Sequence, residues 1–504
     1  MTTLNEPTDL FEGRTMPART ETTSDAEADY GVLRWLVLAT FIVILNETLM
    51  FNAIPRLIVE FDVTARTAQW LSTAFMLTMA VVIPITGWFL QRVNTRTAFT
   101  TAMVTFCTGT LLAAVAPTFG VLLVGRVIQA SGTAVMMPLL MTTLMMVVAE
   151  HDRGRVMGNV TLAISVAPAL GPAVSGVILD LASWRWMFGL VLPIAIAISV
   201  VSLRSLENVG ETNESPIDWL SVALAAVGFG PLVYGLSQLG ADNPAVSPVI
   251  TLLVGVVAVV AFVLRQLQLQ KVDAPLLDLR TLLHRTYTLG LILMAVAFMA
   301  MMGSFFLLPL YLQNVVGLTE LETGLLLMPG GLAMGLLGPR VGKVFDKVGG
   351  RPLVIPGAVA ILVSLSLFSQ VDAGTSVWFL LPVHLLMMVG LAALFTPVFT
   401  LSLGAVPPQL YSHASSVLGT LQQVAAAIGT AVVVTVVTAR STSLADGGSS
   451  AVDATVGGLQ WGFGIGAILA VALVAIALVM PGRVPGATGH APVSDEDDEL
   501  EAVA

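Results

Sequence analysis

The chain has 504 residues, of which 56% are hydrophobic and only 11% are charged. Water-soluble domains carry about 25% charged residues, so this composition excludes an ordinary soluble protein and indicates one that lies in a lipid bilayer. The net charge of −10 comes without any strongly basic segment, which argues against a nucleic-acid partner. The single cysteine excludes a disulfide framework and a cysteine metal site.

The first 32 residues are polar and rich in acids. They lack the basic start and apolar middle of a secretory signal, so we predict that 1–32 is a disordered cytoplasmic tail. The last segment, 483–504, is predicted to be a second, acidic cytoplasmic tail.

Between the tails lie about fourteen apolar stretches, each long enough to cross ~30 Å of hydrocarbon as a helix. Backbone polar groups in lipid must be satisfied within the span, so these stretches predict an all-α integral membrane protein. The predicted spans are 33–58, 68–90, 97–117, 120–148, 155–180, 185–203, 217–240, 247–269, 287–313, 321–341, 352–370, 375–396, 410–437 and 457–480.

Two glycine-punctuated basic turns, 87–96 and 342–351, each follow the second span of a group of six. In both turns the glycine is followed five residues later by a cation, seven residues later by a residue that tolerates positive φ, and nine residues later by Arg. Two such turns predict a duplicated bundle with a pseudo-twofold axis. The residues predicted to gate the protein are Gly87, Gln91, Arg92, Arg96, Gly342, Asp346, Lys347, Gly349 and Arg351.

The spans therefore divide into six, two and six. We predict an N-terminal six-helix bundle over 33–204, a linker with two extra transmembrane helices over 205–280, and a C-terminal six-helix bundle over 281–482. The extra pair is interpreted as an insertion that faces lipid. Most of the 22 Lys and Arg residues fall on the side of the two tails, which the positive-inside rule assigns to the cytoplasm.

Ionisable residues inside spans are costly, so each is a functional candidate. Glu47 is the carboxylate farthest from any span end and is predicted to carry a proton, although it could instead bond a neighbouring helix. Arg126 is expected to position that acid or to contact a substrate, and His384 in the twelfth span is interpreted as a packing residue. The polar residues that could line a cavity are Asn46, Asn52, Gln129, Tyr311, Gln313, Asn314, Gln422 and Gln423.

The fifth span carries Gly158, Gly171, Pro172 and Gly176. Small residues let helices approach closely and proline bends the backbone. The pattern is typical either of tight helix packing or of a hinge that faces the centre of a bundle.

Together these motifs resemble the major facilitator superfamily, in particular its fourteen-helix drug:proton antiporter branch. The turn 342–351 matches the cytoplasmic loop signature of that family, whereas the turn 87–96 departs from it at Gln91 and Asn94. Arg126, Gln129 and Gly132 match the motif of the fourth helix, and the glycines of the fifth span match the antiporter motif. The stretch 46–55 is similar to the lincomycin and multidrug exporter subgroup.

The resemblance implies an exporter of small lipophilic or cationic drugs that exchanges them for protons by alternating access. It implies a monomer in a bacterial-type cell membrane, without cofactor, metal or enzymatic activity. The alternatives are an exporter of a native metabolite or lipid in the same fold, and a membrane enzyme or sensor. The last class is disfavoured because the sequence offers no nucleophile–base pair and no phosphate-binding loop.

Overall fold

The structure is a computed structural model that describes residues 31–206, 208–209, 216–239 and 246–483. The two predicted tails lie almost entirely outside these residues.

The described residues fold into α-helices joined by short turns, without strands, which confirms the predicted all-α membrane fold. The helices are α1 (Gly31–Leu49), α2 (Ile54–Glu60), α3 (Ala65–Arg92), α4 (Thr95–Ala114), α5 (Phe119–Val147), α6 (Arg153–Leu181), α7 (Arg185–Ser205), α8 (Trp219–Ser237), α9 (Pro248–Leu269), α10 (Arg285–Asn314), α11 (Glu320–Val348), α12 (Arg351–Phe368), α13 (Val377–Gly404), α14 (Tyr411–Asp446) and α15 (Ala451–Val479). Thirteen helices of the described chain, from α3 onward, are long and apolar enough to cross a membrane. The apolar α1 and the short α2 share the first predicted span.

The two groups of six spans repeat the same packing. In the first group α1 packs on α6, α3 on α5 and α4 on α7. In the second group α10 packs on α14, α11 on α13 and α12 on α15. The matching pairs occur in the same order along the chain, so the molecule consists of two related six-helix bundles.

The bundles meet along two seams. At the α6–α11 seam, α6 of the first bundle packs on α11 of the second. At the α3–α14 seam, α3 of the first bundle packs on α14 of the second. The inserted helix α8 packs against both α3 and α14, and α9 packs on α8. Apolar side chains of α9 such as Val249, Leu253 and Val257 remain exposed, which suits contact with lipid.

The two basic turns end their helices differently. Gly349 ends α11 with φ +81°, and its N–H donates to the carbonyl of Phe345 at 2.8 Å. Its left-handed conformation favours glycine, as the sequence predicts. At the equivalent point of the first turn, Asn94 does not use the positive φ that its residue type tolerates, since its φ is −69°. Its side chain accepts a hydrogen bond from the N–H of Thr97 and caps α4 instead. We call the side of the molecule that carries both turns the basic-turn side.

Candidate functional site

A buried polar cluster surrounds Arg126 of α5, which is only 1% exposed. The guanidinium lies 4.2 Å from the centroid of the Phe75 ring and donates to Gln129 Oε1 at 2.6 Å. Gln129 Nε2 in turn donates to Thr110 Oγ1 at 2.8 Å. This chain of contacts fixes the cation within the first bundle, while Arg126 Nε keeps a donor that no protein atom accepts.

Glu47 and Asn46 bring further polar groups to this bundle from α1, which packs on α5. Glu47 interacts electrostatically with Arg126, whose hydrogen bond is directed to Gln129. Asn46 is 1% exposed, and neither its amide nitrogen nor its oxygen has a partner in the protein. Buried polar atoms without partners are uncommon, so this corner of the bundle retains hydrogen-bonding capacity for a proton, water or a ligand.

Asp346 joins the two bundles at the α6–α11 seam. Its carboxylate accepts the backbone N–H groups of Gly154 and Arg155, both at 2.8 Å. These amides belong to the first turn of α6, where they have no partner within the helix and where the helix dipole favours a negative charge. Asp346 therefore caps a helix of the other bundle.

Glycines bring the backbones of the same seam into contact. A Cβ on Gly338 would lie 2.6 Å from the carbonyl oxygen of Gly158, and one on Gly342 would overlap the carbonyl oxygen of Gly154. Only glycine permits this approach. Of the other antiporter-motif residues, Gly171 faces Thr48 of α1, and a Cβ on Gly176 would meet nothing within 4 Å. The side chain of Pro172 lies outside the described part.

Side chains rather than backbones close the α3–α14 seam. Gln91 Nε2 donates to the carbonyl of Gln409 at 2.8 Å, and the hydroxyls of Thr86 and Ser416 are hydrogen-bonded at 2.8 Å. A Cβ on Gly87 would lie 2.8 Å from His413 Nδ1. Gln91 and Asp346 occupy equivalent positions in the two turns. The side-chain amide of Gln91 donates to one backbone carbonyl, whereas the carboxylate of Asp346 accepts from two backbone amides.

The remaining residues of the two basic turns are either exposed to solvent or hydrogen-bonded to a neighbouring helix. Arg92, Arg96 and Lys347 are exposed. Arg351 holds the end of α15, because its guanidinium donates to the carbonyls of Leu478 and Met480 at 3.0 and 3.1 Å.

The predicted cavity residues are spread over several levels of the bundle. The buried Tyr311 donates to the carbonyl of Asp372 at 2.6 Å, near the end of α10 opposite the basic-turn side. Gln313 is half-buried and Asn314 is exposed at that same end. Gln422 and Gln423 are half-buried in α14, and Gln422 Nε2 has no protein partner. The side chain of Asn52 lies outside the described residues.

Sequence reasoning missed Gly154, His413 and the linker residue Asp278, all of which lie at the seams. Of these three, only Gly154 could have been identified from the sequence, because it is a glycine near the start of a long apolar helix. Within the described residues, His, Cys, Asp and Glu form no group that could hold a metal ion.

Comparison with known proteins places this geometry in a family. The family model described as Major Facilitator Superfamily matches residues 36–430. The lincomycin resistance protein LmrB of Listeria monocytogenes is 38% identical over 445 residues, which cover 87% of this chain and 94% of that protein. The multidrug export protein EmrB of Escherichia coli is 29% identical over 80% of this chain and 79% of its own length.

Solved structures share the fold at low sequence identity. The human organic anion transporter MFSD10 superposes with a TM-score of 0.62 at 15% identity, covering 87% of this chain and 98% of that one. The proton:xylose symporter XylE superposes with a TM-score of 0.60 at 16% identity over 91% of this chain and 98% of its own. With two repeated six-helix bundles, a family match over most of its length and a relative 38% identical, the chain belongs to the major facilitator superfamily, a family of transporters rather than enzymes.

Proposed function

We propose that the protein exports small lipophilic or cationic drugs in exchange for protons. The observation that carries the proposal is the buried cluster of Glu47, Asn46 and Arg126, which holds charge and unpaired polar atoms inside a membrane span. The names of the relatives, which refer to lincomycin resistance and multidrug export, support drugs as the substrate class.

Glu47 is the proposed proton carrier. A charged carboxylate within a membrane is costly in free energy. Binding a proton stabilises Glu47 when the cavity is closed to water, and a cationic substrate stabilises its charged form when the cavity is open. Arg126 is the proposed positioning residue, because it is fixed by Gln129 and Phe75 and still acts on Glu47 through its charge. Proton and substrate would then bind alternately, which is the requirement for exchange.

The basic-turn side is proposed to face the cytoplasm of a bacterial-type cell, with both chain ends on that side, in accord with the positive-inside rule. The hydrogen bonds that join the bundles at Asp346, Gln91 and Thr86 lie on this side or near it. The described conformation would therefore be closed toward the cytoplasm. The division into bundles 33–204 and 281–482 with the linker 205–280, and a monomeric carrier, are part of the same proposal.

Transport in liposomes tests this function. Purified protein is reconstituted with an imposed pH gradient and supplied with lincomycin and with a panel of amphipathic cations and neutral compounds. We expect uphill movement of at least one drug that collapses when the gradient is dissipated. Glu47→Gln, which keeps the shape of a protonated acid, should abolish uphill transport. Asp180→Asn, which removes a carboxylate at an exposed position of α6, is the matched control and should transport normally.

Gradient-driven transport by Glu47→Gln at the wild-type rate would remove Glu47 from the mechanism. Absence of any gradient-dependent drug movement by the wild-type protein would contradict the proposed function itself.

A further inference from the structure

The connection between α9 and α10 enters the protein instead of looping away from it. Leu276, Leu277 and Asp278 are buried, with only 1%, 4% and 2% of their surface exposed, respectively. Their backbone is held by the buried Gln266 of α9, whose Oε1 accepts the N–H of Leu276 at 2.8 Å and that of Leu277 at 3.1 Å. This segment, 276–278, is called the linker segment below.

The linker segment is tied to both inserted helices. Gln266 Nε2 donates to Ser221 Oγ of α8 at 2.8 Å, and Ser221 Oγ donates to Asp218 at 2.6 Å. Asp218 is also paired with Arg265 of α9 at 3.0 Å. The linker segment is therefore attached to α8 and α9 through a continuous set of hydrogen bonds that runs from Asp218 through Ser221 to Gln266.

The surface that the linker segment contacts is the α3–α14 seam. A Cβ on Gly87 would lie 3.3 Å from Leu277 Cδ1 and 2.8 Å from His413 Nδ1, so Leu277 and His413 meet at this glycine. His413 is 2% exposed, and its Nδ1 has no partner in the protein. One residue of each bundle and one of the linker thus share a single contact point.

Asp278 brings a negative charge to this point. Its carboxylate pairs with the guanidinium of Arg280 at 2.7 Å, accepts a hydrogen bond from Gln270 Nε2 at 2.9 Å, and interacts electrostatically with His413. Burial acts to raise the pKa of Asp278, but the hydrogen bonds and charge of Arg280, together with the nearby His413, outweigh it and hold that pKa below its ordinary value. Asp278 is therefore a buried carboxylate whose hydrogen bonds fasten the linker segment to neighbouring residues of the linker.

The α6–α11 seam has an acid at the corresponding place, Asp346, on the turn itself. The α3–α14 seam has the uncharged Gln91 on its turn. We propose that the linker segment is the latch of the α3–α14 seam: Leu277 closes on Gly87 and His413, and the carboxylate of Asp278 holds the segment in place through Arg280 and Gln270. Opening on the basic-turn side then requires the linker segment to withdraw from Gly87 and His413. The inserted helices become part of the gate. The inference rests on the transport cycle proposed above but not on the identity of the substrate.

A distance measurement between spin labels tests the latch without any substrate. The native cysteine is removed as Cys107→Ser, and labels are placed on the exposed positions of Arg92→Cys and Gln409→Cys, on opposite sides of the seam. In lipid nanodiscs the parent protein should give mainly the short distance of the closed seam. Asp278→Asn should raise the ratio of open to closed protein about tenfold, since it weakens the charge-assisted hydrogen bonds with Arg280 and Gln270 that hold the linker segment in its closed position.

The matched control is Asp273→Asn, which also removes a carboxylate that pairs with Arg280, but an exposed one, with 79% of its side chain accessible. It should leave the distance distribution unchanged. Leu277→Ala provides a second variant, which removes the Cδ1 atom that contacts Gly87 and leaves every charge in place. It should open the seam in the same direction by a smaller factor. A distribution identical to the parent protein in Asp278→Asn, or in Leu277→Ala if the first variant does not fold, would overturn the latch.

Because no drug is present, failure of this experiment is separate from failure of drug transport.

Discussion

The two seams occupy equivalent places in the two-bundle fold and are closed by different chemistry. At the α6–α11 seam, glycine backbones touch and the carboxylate of Asp346 caps α6. At the α3–α14 seam, neutral side chains such as Gln91 and Thr86 bond across the gap, and the linker segment packs against Gly87. A repeated architecture thus constrains where the halves meet but not which interactions hold them.

The difference sets an order of strength. A hydrogen bond to a charged group contributes about 1.5–3 kcal/mol and a neutral one about 0.5–1.5 kcal/mol. The seam with Asp346 is therefore expected to be the stronger lock. The α3–α14 seam is expected to depend on several weaker contacts and on the inserted helices.

The largest effect is expected from Gly158→Ala. The new methyl group would overlap the carbonyl oxygen of Gly338, a backbone atom that cannot rotate away. Overpacking of this kind costs about 1–3 kcal/mol, so the closed state should lose about tenfold or more in population, and exchange should fall accordingly. Flux in liposomes measures the result. The control is Gly176→Ala in the same helix, where a methyl group would meet nothing within 4 Å. Equal activity of the two variants would contradict close backbone contact at this seam.

Next in size is the contrast between the two turns. Asp346→Asn keeps the size of the side chain but removes the charge that binds the amides of Gly154 and Arg155. We expect the rate of exchange to fall about tenfold, with a smaller change in substrate affinity. Gln91→Ala, which removes one neutral hydrogen bond, should cost less than about threefold. Arg92→Ala, at an exposed position, should be milder still. If Gln91→Ala were as severe as Asp346→Asn, the proposed order of strength would be wrong.

The smallest effect is expected from Asp218→Asn, at the base of the inserted pair. Hydrogen bonding from Arg265 lowers the pKa of Asp218 to about 2. A carboxyl with a lowered pKa stabilises the fold above its unfolded value of about 3.9, and this contribution is lost as the pH falls toward 2. The thermal midpoint of Asp218→Asn should therefore lie a few degrees below that of the wild type at pH 7. The gap should narrow between pH 4 and pH 3. A gap that stays constant over this range would show that the charge of Asp218 is not the cause.

Local patterns in the sequence account for the features that depend on neighbouring residues. Apolar stretches predict the membrane helices, and the turn 342–351 predicts the positive φ of Gly349. At Asn94 the tolerated positive φ is not adopted, because this asparagine instead satisfies the first turn of the next helix with its side chain. The residue type alone does not decide between these two uses.

Contacts between distant parts of the chain were beyond such reasoning. The sequence predicts a gating role for Asp346 but does not identify its partner Gly154, which lies 192 residues away. The linker helices were interpreted as a spacer because their sequences are apolar and nearly uncharged. Their role at the α3–α14 seam depends on Gln266, Leu277 and His413, which come together only when both bundles and the linker have folded. The assignment of Glu47 as proton carrier remains a prediction.

Release of protons on substrate binding tests the proposed exchange most directly. Drug is added to the purified protein in weakly buffered detergent solution, and the pH change is read with an indicator dye. If proton and drug compete for the cavity at Glu47, the wild-type protein should release about one proton per bound drug, and Glu47→Gln should bind a neutral drug and release none. Drug binding by the wild type without proton release, or undiminished release by Glu47→Gln, would contradict the account.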